Sequence, residues 1–326
     1  MSALFHSYLC GRNAAEWLIN MKIGFIGLGS MGSLMSAQLV RSGYDVIGYD
    51  ILPLALSEAA KNGVVPASSS SEVAAECDSI VCMMPQSSDT RVALFGDRGV
   101  HENLRPGMLI LDMSTGSPTD TKDIYSQLKA CGVSFVDAPV SGGVVRAADG
   151  TLSIMASGDR DAYSRALDIF NVLGKSVFYV GESGTGHTIK LINNMLTGIN
   201  LAGICEAMVM GMKAGLDPEL LLSIINSSSG MSYSSKMKME KFVFPRKFDK
   251  GFKVRLQLKD MKLATDLAKD VGAPVVLGNV AKEYYMAAYA AGMADEDSSA
   301  IVKLLENICG VEVIPHAVCS EEGGNS

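Results

Sequence analysis

The chain has 326 residues, enough for two domains, and 48% of them are apolar, enough for sizeable cores. Its formal net charge of −7 speaks against a nucleic-acid partner or an anionic membrane surface held by electrostatics. Seven dispersed cysteines without a CxxC pair read as a reduced, cytoplasmic set, and His6, His101, His187 and His316 lie too far apart in sequence for a metal cluster.

Residues 1–20 carry no fold pattern. Their apolar part is too short for a signal peptide and a single Arg12 makes a poor transit peptide, so they read as a disordered extension or a misplaced start. From Met21 the pattern is regular. Lys22 to Gly27 is a short apolar strand. Gly27-Leu28-Gly29-Ser30-Met31-Gly32 follows, then a helix to Arg41 that stops at Ser42-Gly43, then a second strand from Asp45 to Asp50. Strand, G-x-G-x-x-G, helix, strand and acid is the dinucleotide-binding pattern in its required context. Gly27 permits the tight turn, Gly29 lets backbone approach a pyrophosphate, and Gly32 lets helix and strand pack closely. Asp50 lies 18 residues past Gly32 (50 − 32), where a carboxylate accepts ribose hydroxyls and repels a 2′-phosphate. The expected cofactor is therefore NAD.

Strand and helix signals continue to alternate. Ser79–Met84, Met108–Met113 and Ser134–Ala138 read as strands, with helical text over Pro118–Ala130. Such alternation predicts an α/β domain with a parallel sheet, whose ligands gather beyond the carboxyl ends of the strands. The loops after Met84, Met113 and Ala138 are the places to look. The last contains Ser141-Gly142-Gly143, whose successive N–H groups make either an anion-binding concavity or a plain turn. Strands over Gly150–Ser157 and Ser176–Val180 complete a domain spanning residues 21–182.

Gly184 to Gly215 holds no proline and an almost unbroken apolar run, which predicts one long helix of about 40 Å, buried nearly all round. Lys190, Asn193, Asn194 and Thr197 fall at i, i+3, i+4 and i+7, on one face of it. Spacing alone leaves open whether this stripe meets solvent or lines a site. These residues and Glu206 also interrupt the run, so no membrane span is expected. Pro218–Asn226, Lys253–Lys269, Val276–Ala291 and Ser298–Ile308 read as further helices, separated from the first by a Ser/Gly/Met-rich loop over Ser227–Ser235. The expected organisation is thus a Rossmann-like domain, a long helix opening an all-helical domain over residues 183–315, and a disordered tail over residues 316–326.

Four stretches together resemble the β-hydroxyacid dehydrogenases, the 3-hydroxyisobutyrate, tartronate semialdehyde and threonate type. They are Ile26 to Gly32, Asp137 to Gly143, Gly184 to Asn194, and Leu256 to Ala264 with Lys259-Asp260 at its centre. The resemblance implies that Lys190 is the catalytic lysine and that Ser141, Gly142, Gly143 and Asn194 hold the substrate carboxylate. It also implies that Met84, Pro85 and Thr115 contact the nicotinamide half of NAD, and that Lys259 closes over cofactor and substrate. Lys262 should be solvated. Asp89 stands where some NAD-dependent members have Asn, and Tyr233 and Phe252 fall in loops that line the site in relatives.

The expected activity is interconversion of a small 3-hydroxy acid and its semialdehyde or keto form. With no metal site and no histidine paired with a carboxylate in view, Lys190 is the general acid/base. The alternatives are a tartronate semialdehyde reductase or threonate-type dehydrogenase and, in another class, a non-catalytic NAD-binding regulator. The methionine-rich helical part suggests a homodimer or homotetramer.

Overall fold

The computed structural model describes residues 22–315. The expectations for residues 1–20 and 316–326 lie outside the described residues. The chain divides into two compact units between Lys190 and Leu191.

The first unit is built on β1 (Lys22–Ile26), α1 (Gly32–Arg41), β2 (Asp45–Tyr49), α2 (Pro53–Ala60), β3 (Val65–Pro66), α3 (Ser70–Glu76), β4 (Ser79–Cys82), α4 (Ser87–Phe95), β5 (Leu109–Asp112), α5 (Pro118–Ala130), β6 (Ser134–Asp137), β7 (Val140–Ser141), α6 (Gly143–Ala148), β8 (Leu152–Gly158), α7 (Arg160–Leu173) and β9 (Gly174–Tyr179). The sheet order is β3-β2-β1-β4-β5-β6-β8-β7, with β9 beside β8. The order reverses between β1 and β4, which places the ligand crevice at the carboxyl ends of those strands. Alternate side chains enter opposite faces: Leu109 and Leu111 of β5 join one buried cluster and Ile110 joins the other. Both faces are therefore covered, and the strands read as continuous apolar runs.

The parallel expectation holds from β3 through β6. Beyond it β8 runs antiparallel to both β6 and β7. A short apolar run does not carry its direction, so this reversal was invisible in the sequence. The Ser141-Gly-Gly143 turn also leads directly into the unforeseen short helix α6.

The long helix is α8 (Thr185–Lys213). Its most apolar 18-residue window has a mean hydropathy of 1.4 and is 44% buried; length and composition alone suit a membrane span and the core helix of a globular protein alike. The expectation of a helix buried nearly all round is overturned. Ile192, Leu196 and Met210 are 52%, 54% and 71% exposed, whereas Lys190 and Asn194 are 8% and 7% exposed. The polar stripe is split, because Asn193 is exposed and Thr197 half-buried.

The second unit continues with α9 (Pro218–Ser227), a π-helix over Ser234–Val243, α10 (Val254–Asp270), α11 (Val276–Ala290), a 3-10 turn over Ser298–Ile301 and α12 (Val302–Cys309). The π-helix replaces the expected end of a loop. Leu201, Cys205, Met208, Leu258, Met261 and Tyr285 are among its buried core residues. Gly198 allows a close approach there: a Cβ on it would lie 2.8 Å from the Met261 sulfur. The Tyr285 hydroxyl donates to the Gly198 carbonyl at 3.0 Å. Among the described residues this unit has one β-bridge, Lys253 with Asp297, and no strand.

Candidate active site

The three glycines of the first turn answer to different neighbours. Gly27 has φ +93°, and a Cβ there would stand 2.4 Å from the Met83 carbonyl oxygen. A Cβ on Gly32 would stand 1.9 Å from the Gly27 oxygen. Protein packing explains both. A Cβ on Gly29 would meet nothing within 4 Å, so packing does not explain it. This open side lies before α1, whose N-cap Met31 offers no side-chain acceptor and whose first turn holds no acid. Unsatisfied N–H groups and an uncancelled helix dipole fit the pyrophosphate of a dinucleotide. Gly29 and Ser30 are exposed and Met31 half-buried, while the Leu28 side chain sits in the core.

Asp50 follows β2, beside this turn. One carboxylate oxygen accepts the Leu28 N–H at 2.7 Å and the other accepts the Leu52 N–H at 2.8 Å. The Asp50 carboxylate thus shapes the turn, and each oxygen keeps a further lone pair for a ribose hydroxyl.

Past the sheet's switch point, the exits of β4 and β5 are tied together. The Met84 N–H donates to the Ser114 hydroxyl oxygen at 2.7 Å, and the Ser114 N–H donates to Asp112 at 3.1 Å. Next in the chain, Gly116 has no room for a Cβ, which would lie 2.5 Å from the Ser87 hydroxyl oxygen. The Ser117 N–H donates to that same oxygen at 2.6 Å. Met84 and Thr115 are half-buried and Pro85 exposed on these fixed segments. Burial pushes the Asp112 carboxyl above its ordinary value, with nearby His187 and the Ser114 hydrogen bonds pulling the other way.

The start of α8 is anchored from inside. Buried Asp137 at the end of β6 accepts the Gly184 N–H at 2.9 Å, the Ser183 hydroxyl at 3.3 Å and the His187 N–H at 3.2 Å. The Gly186 N–H donates to the Ser157 hydroxyl oxygen at 2.9 Å, and a Cβ on Gly186 would lie 2.5 Å from the Met155 carbonyl oxygen. Lys190 follows His187 by one turn. In the second unit, the Asn194 amide donates to Asp260 at 2.6 Å, and Gln257 donates to the Asn194 carbonyl at 2.9 Å. The Lys259 ammonium lies 3.1 Å from the other Asp260 oxygen. Asp260 therefore joins two of the expected site residues, Asn194 and Lys259.

Comparison with known proteins gives the family. Residues 22–181 match the NAD binding domain of 6-phosphogluconate dehydrogenase, and residues 184–305 match the NAD-binding part of NADP-dependent 3-hydroxyisobutyrate dehydrogenase. The chain is 36% identical to the 2-(hydroxymethyl)glutarate dehydrogenase of Eubacterium barkeri, covering 90% of this chain and 98% of that one. It is 36% identical to the mitochondrial 3-hydroxyisobutyrate dehydrogenase of Homo sapiens, over 91% and 89% of the two chains. The solved Mycobacterium tuberculosis 3-hydroxyisobutyrate dehydrogenase with L-serine superposes with a TM-score of 0.80 at 35% identity, over 87% and 99%. The chain belongs to the β-hydroxyacid dehydrogenase family. It is an NAD-dependent oxidoreductase that acts on the CH–OH group of a hydroxy acid.

Other expected residues of this dehydrogenase fall as follows. Ser141 is half-buried; Gly142 and Gly143 are exposed with φ of +135° and +66°, a pair that favours glycine. Asp89 lies in the first turn of α4, 3.5 Å from the Gln86 amide. Tyr233 is exposed before the π-helix, Phe252 is half-buried with its N–H donated to Asp297 at 2.9 Å, and Lys262 is exposed. Among the described residues no cluster of His, Cys, Asp or Glu has metal-holding geometry.

Sequence reasoning passed over Asp137, Asp260 and His187. Two are carboxylates beside recognised motif residues, and that adjacency was the available signal. His187 was set aside with the dispersed histidines, although it sits one turn before Lys190.

Proposed function

We propose that this dehydrogenase interconverts a small 3-hydroxy carboxylic acid and its semialdehyde or keto form, with Lys190 moving the proton. The carrying observation is the 8% exposure of Lys190, one turn into a helix whose start is fixed by Asp137 and Ser157. A nearly buried lysine on a rigid turn is suited to a specific partner atom rather than to bulk water. When bound, the nicotinamide ring supplies or accepts the hydride. Lys190 gives a proton to the substrate carbonyl oxygen in reduction and takes it from the hydroxyl in oxidation. The Ser141 hydroxyl and the N–H groups of Gly142 and Gly143 orient the carboxylate. Asn194, one turn beyond Lys190, adds an amide held by Asp260.

Asp50 supports NAD over NADP, since a 2′-phosphate would meet its carboxylate. The L-serine in the related M. tuberculosis structure is itself a 3-hydroxy acid, which fits the same substrate class. A dicarboxylic variant of that class is favoured by one observation. The stem of Arg146 lies against Gly142, where a Cβ would be 2.5 Å from its Cδ, so a cation borders the carboxylate turn.

Exposed Val276, Leu277 and Val280 on α11, with Leu196 and Met210 on α8, support a homodimer or homotetramer, which sedimentation of the purified chain tests. The five described cysteines, all unpaired, support the cytoplasm as its compartment.

The deciding experiment follows NADH absorbance across a panel of 3-hydroxy acids, tartronate- and threonate-type substrates, dicarboxylic analogues and their methyl esters. One or more free acids should turn over and their esters should lose most of kcat/KM. Esters or simple alcohols reacting as well as acids would sink the carboxylate assignment. No turnover with any member, despite NADH binding, would favour a non-catalytic regulator.

A further inference from the structure

His187 is fully buried in the first unit, and no step of the chemistry above uses it. Its Nε2 lies 3.1 Å from the Ser114 carbonyl oxygen and its Nδ1 lies 2.7 Å from the Thr121 hydroxyl oxygen. A carbonyl can only accept, so Nε2 carries a proton and donates it. The Nδ1 faces the Thr121 hydroxyl, which also lies 2.8 Å from the Ser117 carbonyl, and it stands 3.9 Å from the buried Asp137 carboxylate, so the histidine that the sequence showed without an acid partner has one beside it.

Ser114 is the junction that gives this ring its reach. Its carbonyl takes His187, its hydroxyl oxygen takes the Met84 N–H, and its N–H goes to Asp112. One residue thus ties the exit of β4, the exit of β5 and the first turn of α8. Gly116 packs on the other edge of the ring, where a Cβ would lie 3.4 Å from its Cε1. The β4 and β5 exits lie past the switch point from the phosphate turn, on the side that takes the nicotinamide half of a dinucleotide laid across the crevice. Lys190 is three residues on from His187, on the same helix.

We propose that His187 is a positioning residue for the nicotinamide half of the site. Its ring fixes the Met84–Pro85 and Thr115 segments against the turn of α8 that carries Lys190, and it touches neither substrate nor cofactor. This rests on the dehydrogenase reading above. The Gly27 N–H goes to the Tyr49 carbonyl and the Asp50 carboxylate accepts the Leu28 and Leu52 N–H groups, none of them partners of His187, Ser114 or Thr121. Although Gly27 packs on Met83 and Met84, loss of the ring should therefore largely spare the adenosine diphosphate half.

Two ligands separate these halves: NADH, and ADP-ribose, which lacks the nicotinamide. Titrated into the purified full chain, His187→Leu should weaken NADH about tenfold and ADP-ribose less than about twofold, the scale of one lost buried hydrogen bond. His187→Gln can donate to the Ser114 carbonyl and accept from Thr121, and should restore NADH binding to within about threefold of the unaltered protein. Where the leucine variant fails to fold, Thr121→Val removes only the hydroxyl that orients the ring, and the same fall in the NADH-to-ADP-ribose affinity ratio is expected. Equal weakening of both ligands, no change in either, or no rescue by glutamine would overturn the inference while leaving the dehydrogenase reading standing. An unaltered protein that binds neither ligand would overturn both.

Discussion

Two helices start in the first unit at glycine-rich turns, and their starts are satisfied in opposite ways. The start of α1 has no side-chain cap, no acid in its first turn, and open space beside Gly29. The start of α8 has an internal anion, Asp137, on the N–H groups of Gly184 and His187, and Ser157 on that of Gly186. One start is left for a ligand's charge and the other is filled by the protein's own. A glycine motif before a helix is therefore not by itself a binding site. What the N–H groups already hold, and what a Cβ would meet, decide between the two.

The largest expected effect lies one turn beyond the filled start. Lys190→Ala should lower kcat about 10² to 10⁴, the usual worth of a general acid/base. Lys190→Arg keeps the charge but cannot release its proton near neutral pH, so it should be nearly as inactive. Near-normal kcat in the arginine variant would reduce Lys190 to an anion anchor. NADH affinity should stay within about twofold in both variants.

Breaking the filled start should be read in stability. Asp137→Asn keeps the shape but removes one acceptor oxygen from a fully buried cap, and should cost about 1–3 kcal/mol in denaturant unfolding. Gly186→Ala should cost a similar amount, about 1–3 kcal/mol, by pressing a Cβ against the Met155 carbonyl. A neutral result for both would mean that α8 does not depend on its anchor.

Breaking the open start should be read in affinity. Gly29→Ala should leave the melting temperature unchanged, since its Cβ meets no protein atom, yet weaken NADH about tenfold by occupying the phosphate approach. Equal binding would show that the open side is not the pyrophosphate cradle. The smallest effect sharpens selectivity: Asp50→Ser should raise the NADP/NAD ratio of kcat/KM about tenfold, and an unchanged ratio would mean the carboxylate serves only the Leu28 turn.

Much of the first unit was legible because each clue was local. The Gly27–Gly32 turn, its two flanking strands and Asp50 lie within 29 residues (22 to 50), and α5 over Pro118–Ala130 was bounded by Ser117 and a proline. Direction and coverage were not local. The apolar run that forms β8 reads the same in either orientation. The composition of α8 shows many apolar residues but not which of them find partners, so Leu196 was expected inside and Lys190 left undecided. The π-helix over Ser234–Val243 lacks the 3.6-residue repeat that marks an α-helix, so its first two residues read as the end of a loop and the rest carried no assignment. His187 was missed because its meaning comes from Thr121 and Ser114, which are 66 and 73 residues away.

The anchoring of α8 also has a consequence for amide exchange with deuterated water. First-turn amides of a helix ordinarily exchange early, since they lack intrahelical partners and the end frays. Here the amides of Gly184, Gly186 and His187 each have a buried internal acceptor, so this helix should lose its protons from the Lys213 end and hold them longest at its start. The amides opening α1 should exchange freely in the apoprotein and slow only when NADH is added. The same experiment thus separates the start held by the protein itself from the one held by its cofactor.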